Sequence, residues 1–130
     1  MAELLDYNLD EAKSLTTLAD GEEVRLRITH FEKKNSKKGK PMLAMVLEPV
    51  EIADASAIFH NIMLPAEGME PRQFNQTLLR LKAFVENFKL PWPLDPEEER
   101  NEEGYAIVGE EEDEEYGKRN TIKRWSGSLR

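Results

Sequence analysis

From Val24 the chain alternates apolar and polar positions, Val24, Leu26 and Ile28 against Arg25, Arg27 and Thr29. That is the two-residue period of a half-buried strand, expected over about 22–33, with His30 continuing the inward set and Phe31 the outward one. Met42 to Leu47, after Pro41, is apolar at every position. It predicts a second strand over about 41–52, covered on both faces or bent, with Pro49 at a bulge or an edge. After the Ala53-Asp54 turn, Ile58, Ile62 and Leu64 share one phase and Phe59, Asn61 and Met63 the other. A third strand over about 56–64 would therefore point Phe59 outward.

The period then changes. Phe74, Leu78, Leu81, Val85 and Phe88 recur at spacings of 4, 3, 4 and 3, which predicts a helix over 72–89 with that stripe on the core. Pro71 suits its first turn, and Pro91 and Pro93 stop it. Tyr105 to Val108 reads as a short strand. A last one over about 116–125 places Ile122 inward and Arg119, Thr121, Lys123 and Trp125 outward. Residues 1–20 form a lead-in, in which Leu9 to Leu18 make a short helical turn or an extended segment. Residues 126–130 form a loose tail.

Three strands, a helix and two strands define one all-β domain over 21–125 with a single helix. The order is that of a five-stranded OB-like barrel with the helix between strands 3 and 4. Closure would remove the edges that five short strands otherwise expose.

Charge changes this picture locally. The 130 residues carry a net charge of −8, unlike a generic basic nucleic-acid binder. Twelve acidic residues lie between Asp95 and Glu115 against one cation, Arg100, so that segment holds −11 and the remainder +3. Fields are local over a Debye length of about 8–10 Å, so a basic face is compatible with an acidic end. The turn between the first two strands, by contrast, holds Lys33, Lys34, Lys37, Lys38 and Lys40 with no carboxylate. Asn35-Ser36 and Gly39 are its turn formers. The run Glu110 to Glu115 is expected as a solvated loop between the last two strands, holding the lysine turn or a partner protein as its alternatives.

Some chemistries are excluded. The chain has no cysteine, hence no disulfide, thiolate metal site or cysteine nucleophile, which suits a reducing cytoplasm. It has no P-loop, dinucleotide fingerprint or serine elbow, and His30 and His60 are not spaced as a ligand pair. Neither an enzyme nor a cofactor is expected. No apolar run is long enough to span a membrane, and the N-terminus lacks a signal-peptide pattern.

In outline over residues 20–125 the chain resembles phage-encoded single-stranded-DNA-binding proteins of the OB fold. The resemblance is carried by Gly21 with the Val24–Ile28 strand and by the segment Lys34-Asn35-Ser36-Lys37-Lys38-Gly39-Lys40-Pro41-Met42-Leu43. The run from Tyr116-Gly117-Lys118-Arg119 to Lys123-Arg124 completes it. It implies a protein that coats single-stranded DNA with little sequence preference in replication or recombination, in the cytoplasm of a host cell. Replication or recombination proteins would be possible partners through the acidic segments. Such proteins often end in an acidic tail, whereas here the acidic blocks are internal and the last residues basic.

Strand binding requires cations for phosphates and flat rings for bases. The candidates are Arg25, Arg27, Phe31, Lys33, Lys34, Lys37, Lys38, Lys40, Phe59, Lys118, Arg119, Lys123 and Trp125. A protein-interaction module on the same fold and an RNA-binding domain are the alternative readings.

Overall fold

The computed structural model describes residues 4–12, 15–115 and 117–126. Its strands are β1 (Glu23–Asn35), β2 (Pro41–Pro49), β3 (Ile58–Met63), β4 (Glu103–Asp113) and β5 (Gly117–Trp125), with one helix, α1 (Pro71–Asn87), between β3 and β4. All strand pairs are antiparallel, in a single sheet of order β3-β2-β1-β4-β5. β1 is the hinge of this sheet. Its first residues pair with β4 and its later ones with β2. The sheet is not closed, because β3 and β5 are its edges and form no ladder with each other. The edges do approach, and the His60 ring on β3 lies 5.5 Å from that of Trp125 on β5.

Two single-residue irregularities decide which side chains are inside. Val24, Leu26 and Ile28 are buried, as the alternation predicts. The register with β2 then slips between Ile28 and His30, leaving Thr29 as an extra residue. A bulge reverses the phase beyond it. Phe31 therefore turns inward, fully buried, and His30 turns outward, which corrects both expectations. The same event recurs on β5, where Val108 pairs with Ile122 but Ile107 pairs with Arg124, so Lys123 is the extra residue. Ile122 and Trp125 consequently both pack on the core, which corrects the outward placement of Trp125.

The helix buries Thr77, Leu81 and Phe84, followed by Phe88 at its end. This line is rotated from the expected stripe, leaving Phe74 and Leu78 about two-fifths exposed, at 42% and 40%. The rotation follows the bulges. Phe84 meets Phe31 edge-on at 5.8 Å and Trp125 at 5.2 Å, so the inward-turned rings select the helix face that carries Phe84. The helix ends before Pro91. Lys89 adopts φ 54°, with Leu90 N–H bonding the Val85 carbonyl and Lys89 N–H that of Glu86, a Schellman ending. Its last turn seats against β4 at Gly104. A Cβ there would stand 2.5 Å from Asn87 Oδ1 and 2.7 Å from the Phe88 ring, and the same Asn87 oxygen accepts from Tyr105 N–H at 2.8 Å.

The lead-in contains a 3-10 turn, Leu9–Glu11, and then an extended segment that spans the two edges of the sheet. Thr16 bridges Ala55, just before β3, through Thr16 N–H to Asp54 O and Ser56 N–H to Thr16 O, both 2.8 Å. Two residues later, Leu18 is clasped by Asn120 of β5. Leu18 N–H donates to Asn120 Oδ1 at 2.7 Å, and Asn120 Nδ2 donates to the carbonyls of Leu18 and Gly109 at 2.9 Å each. Both Leu18 and Asn120 are buried.

The acidic run is not a loop. Glu110 to Asp113 extend β4, paired with Asn120 to Gly117, and only Glu114 and Glu115 remain among the described turn residues. The expectation failed because cross-strand cations offset the carboxylates. Glu110 faces Lys118 at 3.7 Å, and Glu111 faces Arg119 at 3.1 Å. Tyr116 and residues 127–130 of the expected tail lie outside the described residues.

Candidate nucleic-acid interface

The pairing registers define the outer face of β1, β2 and β3 row by row. Phe59 lies opposite Val46, which lies opposite His30; Asn61, Ala44 and Glu32 form the next row, and Met63, Met42 and Lys34 the last. Phe59 is 79% exposed, on the face expected for it. Val46 and Met42 beside it are half-buried, and Met63 is 37% exposed. An apolar band thus crosses two strands outside the core, with one large ring standing from it. Phe59 and Met63 are four positions apart, about 13 Å along a strand.

Next to the last row the β1–β2 hairpin turns through Ser36 to Lys40. Ser36 N–H bonds the Lys40 carbonyl and Ser36 Oγ accepts from Lys40 N–H, while Gly39 takes the left-handed φ of 80° that closes the turn. This short connection crowds five ammonium groups. Lys33, Lys34, Lys37, Lys38 and Lys40 are all exposed, and none forms an ion pair among the described residues.

The other candidate cations are in a different state. Arg25 and Arg27 point to the same outer side but share Glu103, Arg27 Nη2 lying 2.5 Å from Glu103 Oε2 and its Nε donating to the same oxygen at 3.1 Å. The Arg27 hydrogen bond, with the charges of Arg25 and Arg27, holds the Glu103 carboxyl below its ordinary range. Lys123 reaches Asp20 at 2.8 Å. That hydrogen bond, with one from Glu110 N–H, lowers the Asp20 pKa in turn. Lys118 and Arg119 pair with Glu110 and Glu111 as described. Each of these cations already has a carboxylate. The pairing registers also place the two hairpin tips beyond opposite ends of β1. The thirteen candidates therefore do not form one patch: Phe59 lies on a face that ends at the lysine hairpin, Phe31 and Trp125 belong to the core, and the remaining five are ion-paired, with Arg25 and Arg27 sharing Glu103.

A second concavity lies where the sheet fails to close. It is a cleft of ≈ 560 Å³ between the edge of β3, the exposed flank of α1 and the edge of β5. His60 and Trp125 stand on its wall, and Arg80 and Arg124 at its rim, a pair that sequence reasoning did not select. Burial lowers the pKa of His60 below the ordinary histidine value, favouring the neutral ring. Among the described residues no group of three His, Asp or Glu is placed to hold a metal ion, and no helix is long and apolar enough to cross a membrane.

Comparison of the chain with protein-family models and with curated proteins finds no match.

Proposed function

We propose that this chain is a single-stranded-DNA-binding protein of OB-like architecture with little sequence preference, serving replication or recombination of phage DNA in the host cytoplasm. The strand order and the helix between β3 and β4 support the architecture, since a five-stranded barrel of this kind is often partly open. The observation that carries the function is the exposure of Phe59 on an apolar outer band that ends at five lysines without carboxylate partners among the described residues. Rings stack on bases without reading them, and unneutralised ammonium groups release counterions from phosphates. The role is binding rather than catalysis.

Anisotropy of a labelled oligo-dT, titrated at several salt concentrations, tests it. Five neutralised phosphates give a log–log slope of about −3.5, taking ~0.7 per phosphate of single strand. Absence of binding at low salt overturns the proposal. Competition with duplex DNA and RNA separates a DNA-specific role from an RNA-binding one. A protein-interaction role is the second reading, favoured by the exposed Phe74, Leu78 and Trp92 on and beside the helix.

A further inference from the structure

The cleft between β3, α1 and β5 has three properties that belong together. First, none of its twelve lining residues is Asp or Glu, in a chain with 26 of them. Its charged lining is Arg80, Lys123 and Arg124. Lys123 is occupied by Asp20, whereas Arg80 on the helix and Arg124 on β5 have no ion-pair partner among the described residues. Two arginines without such a partner thus line the cleft, one from α1 and one from β5. Their guanidinium groups are suited to the oxygens of a phosphate.

Second, the lining between them is largely apolar and includes two rings. The His60 and Trp125 rings meet at 80°, with Met63, Ala83 and Ile122 completing the lining. The volume, ≈ 560 Å³, falls within the range of about 300–1,000 Å³ found for small-molecule sites.

Third, backbone groups turn toward the space. Leu64 N–H bonds the Pro41 carbonyl, which fixes the alternation of the β2–β3 ladder. Ile58, His60 and Ile62 then bond β2, and the N–H and C=O groups of Phe59, Asn61 and Met63 point to the open edge. Cationic side chains, an apolar lining with ring surface and a row of donors and acceptors are together what a nucleotide requires.

We propose that this cleft holds one nucleotide, its phosphate between Arg80 and Arg124 and its base against the His60–Trp125 wall with its polar edge on β3. In the bound single strand, on which this assignment rests through the function proposed above, the nucleotide enters the cleft beside the outer face that carries Phe59. The site is separate from the lysine turn.

Trp125 reports on it directly. The chain has two tryptophans, and Trp92 is 65% exposed, so Trp92→Phe leaves Trp125 as the only indole without disturbing the core. In that background, thymidine 5′-monophosphate and oligo-dT are titrated by emission, while anisotropy of labelled oligo-dT measures strand binding independently. Both ligands should change Trp125 emission. Replacing Arg80 and Arg124 together by Gln should weaken monophosphate binding at least about tenfold, the factor expected for loss of one charge-assisted hydrogen bond. Arg72→Gln, in the first turn of the same helix and outside the cleft, should leave it unchanged. Strand binding by anisotropy with no change in Trp125 emission overturns the cleft assignment and leaves the single-strand function standing. An emission change that ignores the double arginine variant overturns the phosphate position. Loss of all strand binding with monophosphate binding retained overturns the single-strand function and keeps the cleft as a nucleotide site.

Discussion

Phe31 and Phe84 meet edge to face, ring centroids 5.8 Å apart and planes inclined at 69°, and both rings are fully buried. One comes from β1 just after its bulge and the other from the last turn of α1, so this contact fixes how the helix lies on the sheet. Trp125 reaches the same Phe84 from β5. The three aromatic positions that share an outward phase in the sequence thus divide in the fold, two into the core and one onto the surface.

That division is directly measurable. Phe31→Ala should cost about 3–5 kcal/mol of folding free energy, as expected for a large core ring. Phe59→Ala should change stability by no more than about 0.5 kcal/mol. It should instead lower single-strand affinity by roughly 1–3 kcal/mol. Chemical denaturation and anisotropy titration of the two variants give the four numbers. A Phe59→Ala protein that unfolds early yet binds normally would reverse the assignment.

The cations should differ in the same way. Replacing Lys33, Lys34, Lys37 and Lys38 by Gln should flatten the salt dependence of strand binding by up to about 0.7 per lysine removed. Replacing Lys118 and Arg119 by Gln should alter the slope far less, because Glu110 and Glu111 already neutralise them. Equal slopes for the two variants would show that the hairpin cations leave their carboxylates for phosphate.

Asn120→Ala tests the clasp on the lead-in. It removes the partner of Leu18 N–H and of the Leu18 and Gly109 carbonyls. Each buried group left without a partner costs about 1–3 kcal/mol. Hydrogen exchange should show Leu18 N–H losing its protection in the variant. An unchanged denaturation midpoint would mean that water replaces the amide there.

His60 should make the fold acid-sensitive. Its pKa is lowered in the folded state by burial, so the unfolded chain binds the proton more readily. Stability from this group is complete above the unfolded value of about 6.5 and declines as pH falls from there toward the folded pKa. The slope for one proton is at most about 1.4 kcal/mol per pH unit. Denaturation midpoints across that window should fall for the natural protein and fall less for His60→Gln. Parallel curves would mean that His60 is solvated in the folded state.

What the sequence made legible was periodicity. All five strands, the helix and their order follow from alternation, spacing and turn formers, and the outward phase of Phe59 holds because β3 pairs without a slip. The errors of facing share one cause. Thr29 and Lys123 each add one residue against the partner strand, and an inserted residue inverts every later position while leaving composition untouched. Arg80 and Arg124 were illegible for another reason: they line one cleft only because α1 lies beside the gap between the facing edges of β3 and β5. The acidic strand end was hidden by its cross-strand partners, since a carboxylate run reads as a loop until the cations opposite it are placed.

The clasp between Leu18 and Asn120 joins residues 102 positions apart. A chain emerging from the ribosome presents Leu18 that many positions before Asn120. The buried seat of Leu18 therefore does not exist until β5 has been synthesised and paired, and every earlier intermediate holds the lead-in without it, by contacts such as the Thr16–Ala55 bridge. Contacts of such separation are the slow ones to form. The Leu18–Asn120 closure thus makes completion of the fold wait for β5, the last strand of the sheet to be made.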